Sequence, residues 1–518
     1  MKKVENLLYY IVFAVLNVFL FGILFSLLFI DKKIEYACKN DIIIGNITLL
    51  SFGIVIVWLM YCIYKTYIRK LLYKISNKNF KIIFYVAFAL LFIVQLIVAY
   101  YIYFPTRWDV EILRNSSDIL ATGAKMDDKF AYQYYYLSYN NNVFLVVVFT
   151  IIKSIFNNIS FLSGDKMVIF FSVLSVNVSG IFTVDIVNRL FKKRGLTVAS
   201  FFTYAALVGL SPWIIVAYSD TYVILFTTAI IHLYCVIKTS KSTEIKTLLR
   251  WTLIFFLSGI GYYIKPTCLI VLMAVCIKEI WTFLFASLES KKKCLKVIPL
   301  AIISILAAVL INKVACIYIG FEKIDDRTVP FTHYAMMGLN DVTYGTYYRD
   351  DVTYTTSFKT HDEKVQGNIK RIKERLKDFG VIGYAKQLDR KLLTNYNDGT
   401  FAWGIGGSFF EKKGTPKNKF AERLRSLYYN GERNFMKFAC TEHTIWLTIL
   451  FFIIFVNLIK WTKISDTELV CILSIIGITM FTLLFESRAR YLFLYSPYYI
   501  IMALAGMKAL QEKTNKSK

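Results

Sequence analysis

The feature that most constrains this chain is a succession of apolar runs separated by short loops rich in lysine and arginine. A helix that crosses the hydrocarbon core of a bilayer needs about 20 apolar residues. Leu7 to Ile30, Ile42 to Tyr64 and Ile82 to Phe104 all meet that length. Strands of a membrane barrel would alternate apolar and polar residues over about 10 positions, and these runs do not. The chain is therefore expected to be an all-α integral membrane protein. The length rule predicts a polytopic helical bundle of about 12–13 transmembrane helices with a mixed extracytoplasmic loop domain.

Charge sets the expected orientation. Lys65, Arg69, Lys70, Lys74, Lys78 and Lys81 follow the second run with no acid among them, and such clusters stay in the cytoplasm. The N-terminus is then inside, and Asp31 to Asp41 forms a short loop outside. Ile82 to Phe104 runs outward and stops at Pro105, which cannot extend the helical hydrogen-bond ladder. Arg189, Lys192, Lys193 and Arg194 mark the next cytoplasmic end. Only an odd number of crossings connects the two, so Val143 to Phe156 is expected to enter part of the bilayer and Lys166 to Val187 to cross it. Short interrupted segments of that kind are tolerated where they line a cavity.

Beyond that point the runs are Thr197 to Ala217, Tyr222 to Ile237, Trp251 to Ile264, Thr267 to Leu288, Val297 to Ile319, Thr444 to Ile459, Leu469 to Phe485 and Tyr491 to Met507. They alternate between cytoplasmic lysines, among them Lys238, Lys241, Lys291, Lys292, Lys293, Lys460 and the tail from Lys508 to Lys518, and polar segments outside. Both termini come out cytoplasmic. Five parts follow: a three-span segment at 1–104, an extracytoplasmic loop with an interfacial helix at 105–142, a central bundle at 143–319, an extracytoplasmic loop domain at 320–442, and a three-span segment with a basic tail at 443–518. Val110, Leu113, Ile119 and Leu120 recur at helical spacing, which predicts a helix along the membrane surface. Trp108 suits an interfacial anchor. The tyrosines between Tyr132 and Tyr139 suit an interface or a sugar-stacking surface. In the large loop Ile369 to Phe379 reads as helix, and Trp403-Gly404-Ile405-Gly406-Gly407 as a turn rather than a phosphate-binding loop.

The net charge of +26 raises the question of nucleic acid. The cations sit in the short loops, however, where they orient the spans and meet anionic headgroups of the membrane lipid. No basic-aromatic module stands outside the membrane runs, so nucleic acid is not an expected partner. The nine cysteines include no CxxC pair, which leaves neither a disulfide framework nor a zinc site.

The polar residues predicted at the outer ends of the spans form the candidate site: Arg107, Asp109, Glu111, Asp220, Lys265, His333, Glu486, Arg488 and Arg490. Charged groups at such positions are costly to keep and mark functional sites. Each also has a plainer reading. Asp109 beside Arg107 can be an interfacial ion pair. Asp220 can cap the helix that starts at Thr221, and Lys265 can reach to the headgroups. His333 reads more readily as structural. Glu486, Arg488 and Arg490 are two apart and share no helical face. In a tight turn, Glu486 can pair with one arginine and leave the other for a phosphate, whose geometry suits the guanidinium fork. The Asp109-Val110-Glu111 pair can hold a divalent metal, although no cofactor is expected.

Trp108-Asp109 after an outward span, Ser211-Pro212 before Ser219-Asp220, Lys265-Pro266, and Glu486-Ser487-Arg488-Ala489-Arg490-Tyr491 together resemble the GT-C superfamily of polytopic glycosyltransferases. The likeness is to the branch with protein O-mannosyltransferases, aminoarabinose transferases and bacterial cell-envelope sugar transferases. The resemblance implies a polyprenyl-phosphate sugar as donor, an extracytoplasmic glycan or polymer as acceptor, and inversion with Asp109 as base. Arg488, Arg490 and Lys265 would then stabilise the departing phosphate. The chain departs from that pattern in three ways: two additional spans, as if a hairpin had been added, precede the acidic loop; Glu111 stands where the oligosaccharyltransferase branch has a second aspartate; and the large soluble part lies between spans rather than at the C-terminus. The alternative reading is a transporter or flippase of a lipid-linked glycan. Transporters show repeat symmetry between halves, and this sequence has none.

Overall fold

The computed structural model describes residues 2–515 except 38, 39, 41, 158, 160–163, 286, 289, 290, 292–294, 407, 461 and 462. Asp41, Lys292, Lys293, Gly407 and Lys518, used above, lie outside the described residues. Among the described residues every regular element is a helix. Ten of them are long and apolar enough to cross a membrane. Three, Asn46–Lys74, Asn77–Ile102 and Val297–Ile319, show most of their apolar side chains to the outside. Burial of apolar surface cannot hold such faces in water, but a lipid environment can accept them. Asp165–Phe191, Ser219–Thr239, Phe435–Leu458 and Asp466–Leu484 form the packed centre.

Two of the twelve expected full spans are built differently from the ten. The run from Thr197 to Ala217 is a helix, Arg194–Tyr204, that widens into a π-turn at Ala205–Gly209 and breaks at Ser211-Pro212. The backbone freed at the break is satisfied by buried side chains, as apolar surroundings require. Gln95 Nε2 donates to the Gly209 carbonyl at 2.7 Å and is itself held by Asn177 at 2.9 Å. The run from Tyr491 to Met507 is a short helix, Arg490–Phe493, followed by Ser496–Thr514. That last helix is deeply enclosed, with Tyr498 through Met502 fully buried. Gly506 lies against the Phe452 carbonyl, where no Cβ fits.

Val143–Phe156 is a helix of 14 residues. At about 1.5 Å per residue it is roughly 21 Å long, short of a hydrocarbon core of about 30 Å. The helix expected along the membrane surface is Asp109–Leu120, with Val110, Leu113 and Leu120 buried as the spacing predicts, but Ile119 turned outward. The segment after residue 320 mixes irregular chain with helices among the described residues: Phe331–Gly338, Arg349–Thr356, His361–Tyr396 and Lys419–Tyr428. The following span begins at Phe435, inside the stretch assigned to the loop domain by the sequence. Trp403 sits in the expected turn but is fully buried.

Candidate active site

Local sequence rules deliver the site's side chains to one end of the bundle. Pro212 opens a single 3-10 turn, Pro212–Ile215, and the extended backbone at Val216 and Tyr218 then leads into Ser219–Thr239. Asp220 then lies in the first turn of that helix, where a carboxylate is favoured by the helix dipole. Lys265 precedes Pro266, which forces it into extended backbone (φ −155°, ψ 116°) at the junction of two spans. Asp466–Leu484 ends before Glu486, and Arg490 opens the next short helix. Trp108 precedes Asp109 with φ at +61°, a strained conformation for a tryptophan that persists only where surroundings hold it. Its ring is fixed by Phe409, at 6.1 Å, and by Tyr218, at 5.5 Å.

These residues form one continuous assembly. The Tyr218 hydroxyl donates to Asp109 Oδ2 at 2.9 Å. The Arg490 guanidinium lies 4.8 Å from the Trp108 ring and 5.0 Å from the Tyr218 ring, within cation–π range of both. Arg490 Nε is 3.3 Å from Asp220 Oδ2, and Lys265 Nζ is 2.8 Å from Asp220 Oδ1. Lys265 also lies 4.4 Å from the Tyr491 ring. The Tyr491 hydroxyl donates to Glu486 Oε2 at 3.2 Å, and Arg488 Nε to Glu486 Oε1 at 3.1 Å. Three acids thus alternate with three cations. Asp220 is 2% exposed and Lys265 8%, so each charge depends on its partner. Burial pulls the Lys265 ammonium below its ordinary value against the attraction of Asp220. Burial lowers Arg490 too, but Asp220 and the neighbouring groups outweigh it and hold the guanidinium above its usual range. Burial and the Asp109 charge push the Tyr218 hydroxyl well up, so it stays a donor.

The segment after residue 320 closes over the turn that carries Glu486 and Arg488. Lys391 Nζ donates to the carbonyls of Gly338 and Phe485 at 2.8 and 2.7 Å. Ser487 N donates to the Gly345 carbonyl at 2.7 Å. A small cleft against Val110 is lined by Phe104, Pro105, Phe149 and Val168, and by the charged groups Arg114, Lys153 and Asp165.

The structure places the sequence candidates as follows. Asp109, Asp220, Lys265, Glu486, Arg488 and Arg490 come together. Arg107 does not pair with Asp109; it pairs with Glu411. Glu111 is turned away from Asp109 to Lys412 and Arg114, so the two carboxylates are not assembled as a chelating pair. Among the described residues no three His, Cys, Asp or Glu side chains gather where a metal could be held. Asp220 is an ion-pair partner rather than a cap, and Lys265 is buried rather than reaching to headgroups. Trp108 is wedged among aromatic rings instead of lying free at an interface. His333 is 1% exposed and bonded through Nδ1 to Thr355 at 2.7 Å; it braces the segment after residue 320 and does not open on the cleft. Both arginines of the turn have acid partners, Arg488 with Glu486 and Arg490 with Asp220. Sequence reasoning missed Tyr218 and Lys391, and read Tyr135 only as one of a row of interfacial or sugar-stacking tyrosines. Tyr218 adjoins Ser219-Asp220, and its position directly after a Pro-broken run was the available signal. Tyr135 is half-buried near Asp109, with its hydroxyl accepting from Asn142 at 2.7 Å.

The model of a family described as conserved hypothetical integral membrane protein matches residues 1–510. The chain belongs to that family. No curated protein matches the sequence. Among solved structures, ArnT from Cupriavidus metallidurans bound to undecaprenyl phosphate is similar at 11% identity, over 84% of this chain and 78% of that one, with a TM-score of 0.29.

Proposed function

We propose that this protein transfers a sugar from a polyprenyl-phosphate-linked donor to an extracytoplasmic acceptor such as a cell-wall polysaccharide or teichoic acid, with inversion. One observation carries the reading: Asp109 and Arg490 grip the same tyrosine, so a carboxylate and a buried cation cluster lie side by side where apolar helices end. In the proposed step Asp109 accepts the proton of an acceptor hydroxyl. The oxygen bonds to the anomeric carbon, and the bond from that carbon to the phosphate oxygen breaks. The polyprenyl phosphate leaves with one more negative charge than it brought. Fixed cations stabilise such growing charge most where water is excluded. Arg488 is the most exposed of the three cations, 28% against 16% for Arg490 and 10% for Lys265. It is the one able to leave Glu486 and face the phosphate, while Lys265 and Arg490 hold the field behind it. The apolar cleft at Val110, Phe149 and Val168 suits isoprene units.

The test is transfer from labelled undecaprenyl-phosphate sugar to a cell-envelope fraction by the purified protein. A positioned base contributes about 10²–10⁴-fold, so Asp109→Asn should lose at least that much while the protein still inserts and purifies. Full transfer by Asp109→Asn would remove Asp109 from the mechanism. Transport of the lipid across vesicles without release of undecaprenyl phosphate would replace the enzyme by a flippase.

A further inference from the structure

The segment His361–Tyr396 is two helices joined at Gly380, whose φ of 54° and ψ of −168° turn the chain sharply. At the apex Val381 and Ile382 are 88% and 86% exposed. Both are branched aliphatics, and Leu376 beside them is exposed too. The arm leading up to the apex carries Lys370, Lys373 and Lys377, all exposed. Their spacing of three and four puts them on one helical face, along a shallow groove shared with Gln366, Ile369 and Glu374. A basic stripe that ends in bare aliphatic side chains is the pattern of a segment lying in a bilayer interface.

The arm leading away from the apex fixes its height. It packs antiparallel to the first span: Leu392 meets Gly22, and Ser26 donates to Asp389 at 2.8 Å. From Asp389 to the apex is about 11 Å of helix, and from Ser26 to the end of the first span at Ile30 about 6 Å. The apex thus stands only about 5 Å beyond the end of that span. Phe25 and Phe29 of the span are more than half exposed, at 57% and 53%, so hydrocarbon reaches that level. The headgroup layer beyond the hydrocarbon is about 5–7 Å deep on each face. We infer that Val381 and Ile382 dip into the headgroup layer of the same bilayer that the spans cross, with Lys370, Lys373 and Lys377 on anionic phospholipid phosphates. The external segment is then tethered at two points, by Lys391 to the site and by its apex to the membrane. This inference stands apart from the proposed chemistry and holds whichever side that end faces.

The test uses the full-length protein in vesicles, with native cysteines replaced and a nitroxide attached to Val381→Cys. Reference labels go on Phe29→Cys, on the lipid-facing side of a span, and Asp350→Cys, on the exposed external segment. Oxygen partitions into lipid and a nickel chelate into water. Val381→Cys should collide with oxygen more than with nickel, as Phe29→Cys does. Nickel access equal to that at Asp350→Cys would overturn the inference, and so would occlusion from both reagents, which would put a protein partner there. Replacing Lys370, Lys373 and Lys377 by Gln should reduce the oxygen preference in vesicles with anionic lipid and leave it unchanged in zwitterionic ones. An equal effect in both would remove the lysines from the contact.

Discussion

Tyr218 is the residue on which the assembly turns, because its two ends do different work. The hydroxyl orients Asp109, and the ring carries the Arg490 guanidinium. Tyr218→Phe keeps the ring and removes the donor. A hydrogen bond to a charged group is worth about 1.5–3 kcal/mol, so transfer should fall roughly ten-fold to a hundred-fold while thermal stability changes little; unchanged turnover would show that the hydroxyl is not orienting the base. Lys391 gives a pH-dependent prediction. Burial depresses its ammonium to about 7, against the pull of Glu486. Between that value and the ordinary lysine range near 10.4, the unfolded chain holds a proton that the folded chain lacks. Stability therefore rises with pH across this window and is flat below it. The neutral amine still has two hydrogens for its two carbonyls. Lys391→Met should lose both bonds and erase the slope, so melting of the two proteins between pH 6.5 and 9.5 decides it; parallel profiles would mean the lysine stays charged.

At the scale of elements, the sequence disclosed what repeats and concealed what breaks. Leu7 to Ile30 and Val297 to Ile319 are legible because a span must be apolar along its whole length. The helix at Val143–Phe156 is legible as too short, and the Asp109–Leu120 helix through Val110 and Leu113. The Arg194–Tyr204 helix is not, because its length in residues matches a span while Pro212 redirects the chain. For the same reason Asp109, Asp220, Lys265 and Arg490 could be nominated one by one from their places at span ends, but not their pairing. Asp109 looks toward Arg107 in sequence and meets Tyr218 in space, since pairing depends on which helix ends converge. Helix contacts at the site leave little slack. A Cβ on Gly338 would stand 2.6 Å from the Phe485 carbonyl oxygen and 2.9 Å from Lys391 Nζ. Gly338→Ala should therefore separate the segment after residue 320 from the Glu486–Arg488 turn and lower transfer more than it lowers membrane insertion. Gly383→Ala, where the nearest group is a Phe379 side chain at 3.4 Å, is the control expected to stay active.

On the scale of the whole molecule, the positive loops and the site make one joint claim that neither makes alone. The segment after residue 320 is bonded to the turn bearing Glu486 through Lys391 and Ser487, so Lys359, exposed on that segment, lies at the same end of the bundle as Asp109. Lys241, exposed between Ser219–Thr239 and Glu244–Ile264, lies at the far ends of those helices. The charge rule assigns Lys241 to the cytoplasm. In intact cells a membrane-impermeant maleimide should label Lys359→Cys fully and Lys241→Cys only after permeabilisation, each in a background whose native cysteines are replaced. The reverse pattern would invert the whole bundle, because no local rearrangement moves Lys359 without Asp109. It would also place the carboxylate and its cations on the cytoplasmic face, where an acceptor outside the cell is out of reach, and the proposed transfer would fall with the topology.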